Sequence, residues 1–152
     1  MELIFLDTSL LVAYYNADDV NHSDARELVK EMEGRKVSLL TSDYIFDETL
    51  TVILVRVGKQ KAIEVCNALL KDIEAENIKL MLVDEEVFRK ATEIFTRFVD
   101  KEWSFTDCTS YILMKDAGIT KGASFDEHFR QFGFEVLPSK HGLRSKPILR
   151  DN

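Results

Sequence analysis

Short, uninterrupted apolar runs alternate along this chain with longer stretches whose apolar residues recur every three or four positions. Leu3–Leu6 is continuously apolar, the pattern of a strand buried on both faces. A short helix is expected over residues 9–16. A second helix, capped by Asn21 or Ser23, carries Ala25, Leu28, Val29 and Met32 at helical spacing and stops at Gly34. Val37–Leu40 reads as the second strand, after which Ser42 caps a helix running to Val57, with Gly58 beyond it. Residues 59–75 place Ala62, Ile63, Cys66, Leu69, Leu70 and Ile73 on one amphipathic stripe.

The second half continues the pattern. Ile78–Val83 is a strand, and Asp84, Glu85 and Glu86 open a helix with the acidic first turn that the macrodipole favours. Val87, Phe88, Ala91, Ile94, Phe95 and Phe98 form the apolar face of that helix. Another helix spans Thr106 to Ala117 and ends at Gly118, and Ala123–Phe125 and Phe134–Leu137 read as two short strands around a helical turn. Strands separated by helices predict a parallel sheet covered on both faces, a three-layer α/β/α domain. The expected division is one domain over residues 1–138 and a basic tail over 139–152.

With 152 residues, the chain can bury a core without disulfides. Cys66 and Cys108 fall on apolar helix faces and read as reduced, buried thiols. No apolar stretch reaches membrane-spanning length, and an acidic residue, not a basic region, precedes residues 3–6. Neither a span nor a signal peptide is expected, and the expected compartment is cytoplasmic. The net charge of −7 argues against a nucleic-acid coat protein but not against an enzyme whose bound cation inverts the local field. Lys140, Arg144, Lys146 and Arg150 make the tail basic, either as a solvated end or as an arm on a nucleic-acid backbone.

Four acids stand at the transitions between elements. Asp7 ends the first strand and Asp126 follows Ala123-Ser124-Phe125, so both project from the carboxyl edge of the sheet, where open α/β sheets bind ligands. A lone aspartate there more often caps the helix after it, so the case rests on several acids coinciding. Glu48 shares its helix face with Tyr44, Ile45 and Val52, an apolar setting without a basic residue three or four positions away. Asp47 shares a polar face with Asp43 and Thr51 and reads as solvated. Asp107 sits at a helix start, where capping alone would explain it. Two carboxylates 4 Å apart repel by about 4 kcal/mol at an effective dielectric near 20, so a cluster of four needs protons or a cation. Oxygen donors favour Mg²⁺ or Mn²⁺ over Zn²⁺. His22, His128 and His141 show no metal-ligand spacing and read as surface residues, although His128 lies two positions from Asp126.

Leu6-Asp7-Thr8-Ser9, the Asp47-Glu48 helix, Ser104-Phe105-Thr106-Asp107-Cys108 and Ser124-Phe125-Asp126-Glu127-His128-Phe129 together resemble the PIN-domain nucleases, and within them the toxins of VapBC toxin–antitoxin pairs. The resemblance runs from residue 2 to about residue 137. It implies a five-stranded parallel sheet of order 3-2-1-4-5. It also implies an acidic site of Asp7, Glu48, Asp107 and Asp126, with Thr8, Ser9, Thr106 and Ser124 as supporting hydroxyls. The activity implied is a Mg²⁺- or Mn²⁺-dependent endoribonuclease leaving 5′-phosphate and 3′-hydroxyl ends, with a VapB-like antitoxin partner and a homodimeric state. Arg56, Lys59, Lys61, Lys121 and Arg130 are candidate RNA contacts, and Trp103 could stack on a base or pack at the rim. A non-catalytic scaffold of the same fold is the rival reading. A phosphoacceptor receiver or aspartyl-phosphate phosphatase fits less well, because the phosphatase pattern wants a second acid where Ser9 stands.

Overall fold

The computed structural model describes residues 1–139. The expected basic tail, apart from Ser139, lies outside the described residues. The elements are β1 (Glu2–Leu6), α1 (Thr8–Tyr15), α2 (His22–Glu33), β2 (Val37–Ser42), α3 (Asp43–Arg56) and α4 (Lys59–Glu74). They continue with β3 (Ile78–Met81), α5 (Glu85–Arg97), α6 (Phe105–Ala117), β4 (Lys121–Ala123), α7 (His128–Gln131) and β5 (Glu135–Leu137). All strand pairs are parallel and the sheet order is β3-β2-β1-β4-β5, as the resemblance implied. Among the described residues no helix is long and apolar enough to cross a membrane.

The central strand explains its own composition. Ile4 and Phe5 are fully buried because β1 has a strand on either side and helices over its faces. Removing such side chains from water stabilises the fold by about 1.5–3 kcal/mol each. Leu6 pairs with Ala123 on β4, and the Asp7 N–H donates to the Ala123 carbonyl at 3.0 Å, which zips the two strand ends together. Thr41 Oγ1 donates to the Leu6 carbonyl at 3.0 Å from the other side. The carboxyl end of β1 is therefore clamped by both neighbours.

Helix ends follow the local chemistry. Ser42 accepts from the Ile45 N–H and caps α3, Asp84 accepts from the Val87 N–H and caps α5, and Gly118 ends α6 at a left-handed φ of 70°. Asp43 departs from its solvated reading. It is partly buried, and its Oδ1 accepts from the Val83 N–H at 3.0 Å, tying the end of β3 to α3.

The two amphipathic stripes are only partly core. On α4 the buried line is Ala62, Val65 and Leu69, while Ile63 and Leu70 face outward. On α5, Val87 and Ala91 are buried with Cys108, Ile112 and Leu113 of α6, whereas Phe88 and Phe95 form an exposed aromatic rim against Phe105. Both cysteines are free thiols; Cys108 is buried and Cys66 partly exposed. Trp103 packs on Phe132 with ring centroids 4.5 Å apart, and its Nε1 donates to Gln131.

One close approach fixes α7. A Cβ on Gly122 of β4 would fall 2.3 Å from the ring of Phe129, which is fully buried against the sheet. Gly122→Ala is expected to cost about 1–3 kcal/mol by forcing that ring off the strand. Urea denaturation compared with the parent protein checks this.

Candidate functional site

Each predicted acid reaches the carboxyl edge of the sheet by a different local device. Asp7 leaves β1 where the backbone is extended, with its side chain only 2 % exposed. It stands at the N-cap position of α1 but makes no side-chain capping bond there. Its Oδ2 accepts instead from Ser124 Oγ at 2.7 Å and Ser9 Oγ at 3.1 Å. The two hydroxyls lie 3.1 Å apart. Ser9 Oγ also accepts from the Phe125 N–H, and Ser124 Oγ from the Asp126 N–H. These contacts sew the turn after β4 onto the start of α1 and present Asp126 beside Asp7. Asp126 caps no helix, because α7 begins after Glu127.

Glu48 turns inward from α3 while Asp47 is exposed, as the helix-face reading expected. Thr8 Oγ1 donates to Glu48 Oε1 at 2.5 Å, so the first hydroxyl of α1 aims a carboxylate that belongs to α3. Asp107 does act in capping. Ser104 Oγ accepts from the Asp107 N–H, and Asp107 Oδ2 accepts from the Ser104 N–H, a reciprocal box at the start of α6. Its other oxygen, Oδ1, lies 3.1 Å from His128 Nε2. Among the expected supporting hydroxyls, Thr8, Ser9 and Ser124 contact the acids. Thr106 is engaged through its carbonyl, which accepts from Thr109.

His128 is the residue that the sequence reading misplaced. It is not on the surface but 9 % exposed, at the first position of α7 and within the acid cluster. Nε2 lies 3.6 Å from Asp7 Oδ2 as well as 3.1 Å from Asp107 Oδ1, and Nδ1 is 3.9 Å from Asp126 Oδ2. Phe129 meets the ring edge-on at 4.7 Å. Histidine-to-histidine spacing could not find it. The signal was its place two residues past Asp126, in the turn that leaves β4 at the same sheet edge as Asp7.

The acids differ in proton affinity. Burial opposes ionisation of Asp7, but His128, Ser124 and the Thr8 backbone together hold its carboxyl below the ordinary aspartate range. Glu48 is pushed up, by burial first and then by the charges of Asp7 and Asp107, against the pull of Thr8. Asp107 is raised by burial and by Asp7, and Asp126 by the same two causes. Burial disfavours the His128 cation, yet the surrounding Asp7, Asp107 and Asp126 raise its pKa. A cleft of about 450 Å³ opens over the cluster, bordered by Thr8, Ser9, Glu48, Asp107 and Asp126, with Arg56 on its wall.

The donor set suits a divalent cation. One atom each from Asp7, Asp126 and His128 lies within a common span of 4.8 Å, and Nε2 of His128 is a buried polar atom with no hydrogen-bond partner. Carboxylate oxygens that repel one another and a buried nitrogen without a partner are what a bound cation would satisfy. Of the cationic candidates for RNA contact, Lys121 is engaged by Glu2, Arg130 pairs with Glu127 at 3.0 Å, and Lys61 lies 3.7 Å from Glu64.

Comparison with known proteins agrees with this geometry. The family model for the PIN domain matches residues 4–135. The 23S rRNA-specific endonuclease VapC20 of Mycobacterium tuberculosis is 31% identical over 137 residues, covering 90% of this chain and 99% of that protein. A VapC ribonuclease of Archaeoglobus fulgidus is 31% identical over 126 residues, covering 82% and 77%. The crystal structure of M. tuberculosis VapC20, described as a Sarcin-Ricin loop cleaving toxin, superposes with a TM-score of 0.76 at 29% identity. It covers 86% of this chain and 95% of that one.

The shifted proton affinities give the metal-free protein a characteristic pH dependence. Groups whose folded pKa is raised stabilise the fold at low pH and lose that contribution as pH rises through the folded value. Glu48, Asp107, Asp126 and His128 are all of this kind. Asp7, whose pKa is lowered, acts oppositely and only at the acid end, below its ordinary 3.8. The melting temperature in EDTA is therefore expected to fall as pH rises from 4.5 past 6.5, the ordinary values for glutamate and histidine. Asp126→Asn is expected to flatten that slope, as read by scanning calorimetry across the range.

Proposed function

Because the chain belongs to the PIN-domain family, we propose that it is a divalent-metal-dependent endoribonuclease that hydrolyses RNA phosphodiester bonds, the toxin of a toxin–antitoxin pair. The observation that carries this reading is the buried, hydroxyl-pinned Asp7 beneath an open cleft that Glu48, Asp107 and Asp126 border. The names of the VapC20 and VapC relatives support the ribonuclease class.

In this reading Asp7, Glu48, Asp107 and Asp126 hold Mg²⁺ or Mn²⁺. The bound ion would lower the pKa of a water and offset charge on the phosphate under attack. The remaining work belongs to the chain itself. Ser9 and Ser124 fix Asp7 in place, while His128, Ser124 and the Thr8 backbone favour its charged form, so one strong negative ligand is preorganised. Thr8 orients Glu48, which either holds the ion or positions the attacking water. Arg56, on the cleft wall, is placed to meet an RNA phosphate. An antitoxin of the VapB kind would close the same cleft with a basic side chain among the carboxylates, and the toxin would act as a homodimer.

Cleavage of single-stranded and hairpin RNA by the purified protein is expected in Mg²⁺ or Mn²⁺ and is expected to stop in EDTA. Asp7→Asn should lose at least about 100-fold in rate, while Asp47→Asn, on the exposed face, should cleave at the parent rate. RNA bound but uncut in either metal would favour the scaffold reading instead.

A further inference from the structure

The fold family's acids account for the oxygen donors of this site but leave one group without a role. His128 is buried to nine-tenths, and its Nε2 has no hydrogen-bond partner although carboxylate oxygens lie 3.1 and 3.6 Å away. An N–H at those distances would ordinarily turn onto one oxygen, because an unpaired buried donor forfeits its hydrogen bonds to water. Here it aligns with neither. Packing restricts the ring, with Phe129 against its edge and Phe132 at 6.2 Å.

We infer that His128 is a metal ligand through Nε2, giving this centre one nitrogen donor among its carboxylates. The spacing fits. Donors at right angles around an ion with bonds of about 2.1 Å stand about 3 Å apart, and wider pairs up to about 4 Å. Asp7 Oδ2, 3.6 Å from Nε2, falls inside that range, and one donor atom each of Asp7, Asp126 and His128 shares a span of 4.8 Å. A cation among those donor atoms would satisfy the orphan nitrogen and relieve the repulsion between the two acids. His128 reaches that position because Phe129, the next residue, is seated on the bare backbone of Gly122. The chemical consequence is selectivity. Imidazole is a softer donor than carboxylate, so a mixed shell raises affinity for Mn²⁺ over Mg²⁺, which strongly prefers oxygen.

This rests on the nuclease reading for the presence of a metal, but it fails separately from it. Pulsed EPR of the Mn²⁺-loaded parent protein is expected to show ¹⁴N coupling to the ion, replaced by ¹⁵N coupling after histidine labelling. In calorimetric titrations, His128→Ala should weaken Mn²⁺ binding at least about tenfold and Mg²⁺ binding less. His128→Asp should restore binding with the preference moved toward Mg²⁺. Mn²⁺ bound without nitrogen coupling in the parent, or coupling that persists in folded His128→Ala, overturns the inference and leaves the nuclease standing. Cleavage that is indifferent to EDTA, with no Mn²⁺ bound, removes both.

Discussion

An ionised carboxylate sealed from water is costly unless something beside it compensates, and Asp7 is such a group. The rest of the site is arranged around that constraint. Parallel pairing of β1 with β4 brings the turn after β4 within reach, so Ser124 can donate to Asp7 from a position 117 residues away in sequence. Ser9 donates from one turn of α1 and at the same time holds the Phe125 backbone. Sheet order and site chemistry are thus joined, because the neighbour β4 leads into the turn that supplies Ser124 and His128 beside this acid.

The four acids are not equivalent, and their differences come from their surroundings. Asp7 has donors and keeps its charge readily. Glu48, Asp107 and Asp126 face Asp7 with fewer donors, and their affinity for protons rises. Such a gradient gives one anchored anion and several adjustable ones. His128 sits where these fields overlap, which ties its charge to theirs and makes the cluster a coupled unit.

Much of this was legible in the chain, for physical reasons. Uninterrupted apolar runs mark strands covered on both faces, so Leu3–Leu6 announced the central strand, and Ser42, Asp84 and Gly118 announced helix ends through their capping chemistry. Inward orientation of Glu48 followed from its apolar face. What periodicity could not separate was an apolar face that is core from one that is not: Ile63, Leu70, Phe88 and Phe95 share the helical rhythm of buried neighbours yet lie outside. Asp43 looked solvated because its partner, the Val83 N–H, is 40 residues away. His128 was missed for the same reason, since its importance lies in Asp7 and Asp107, both distant in sequence.

Asp107 serves two masters with two oxygens. Oδ2 closes the box that starts α6, and Oδ1 faces His128. Occupancy of the cleft and fraying of that helix therefore share one side chain. Loss of this carboxylate cannot report on chemistry alone, since it also loosens the end of the helix that buries Cys108 and Ile112. Conversely, any group that engages Oδ1 acts on the same side chain that holds the Ser104 N–H.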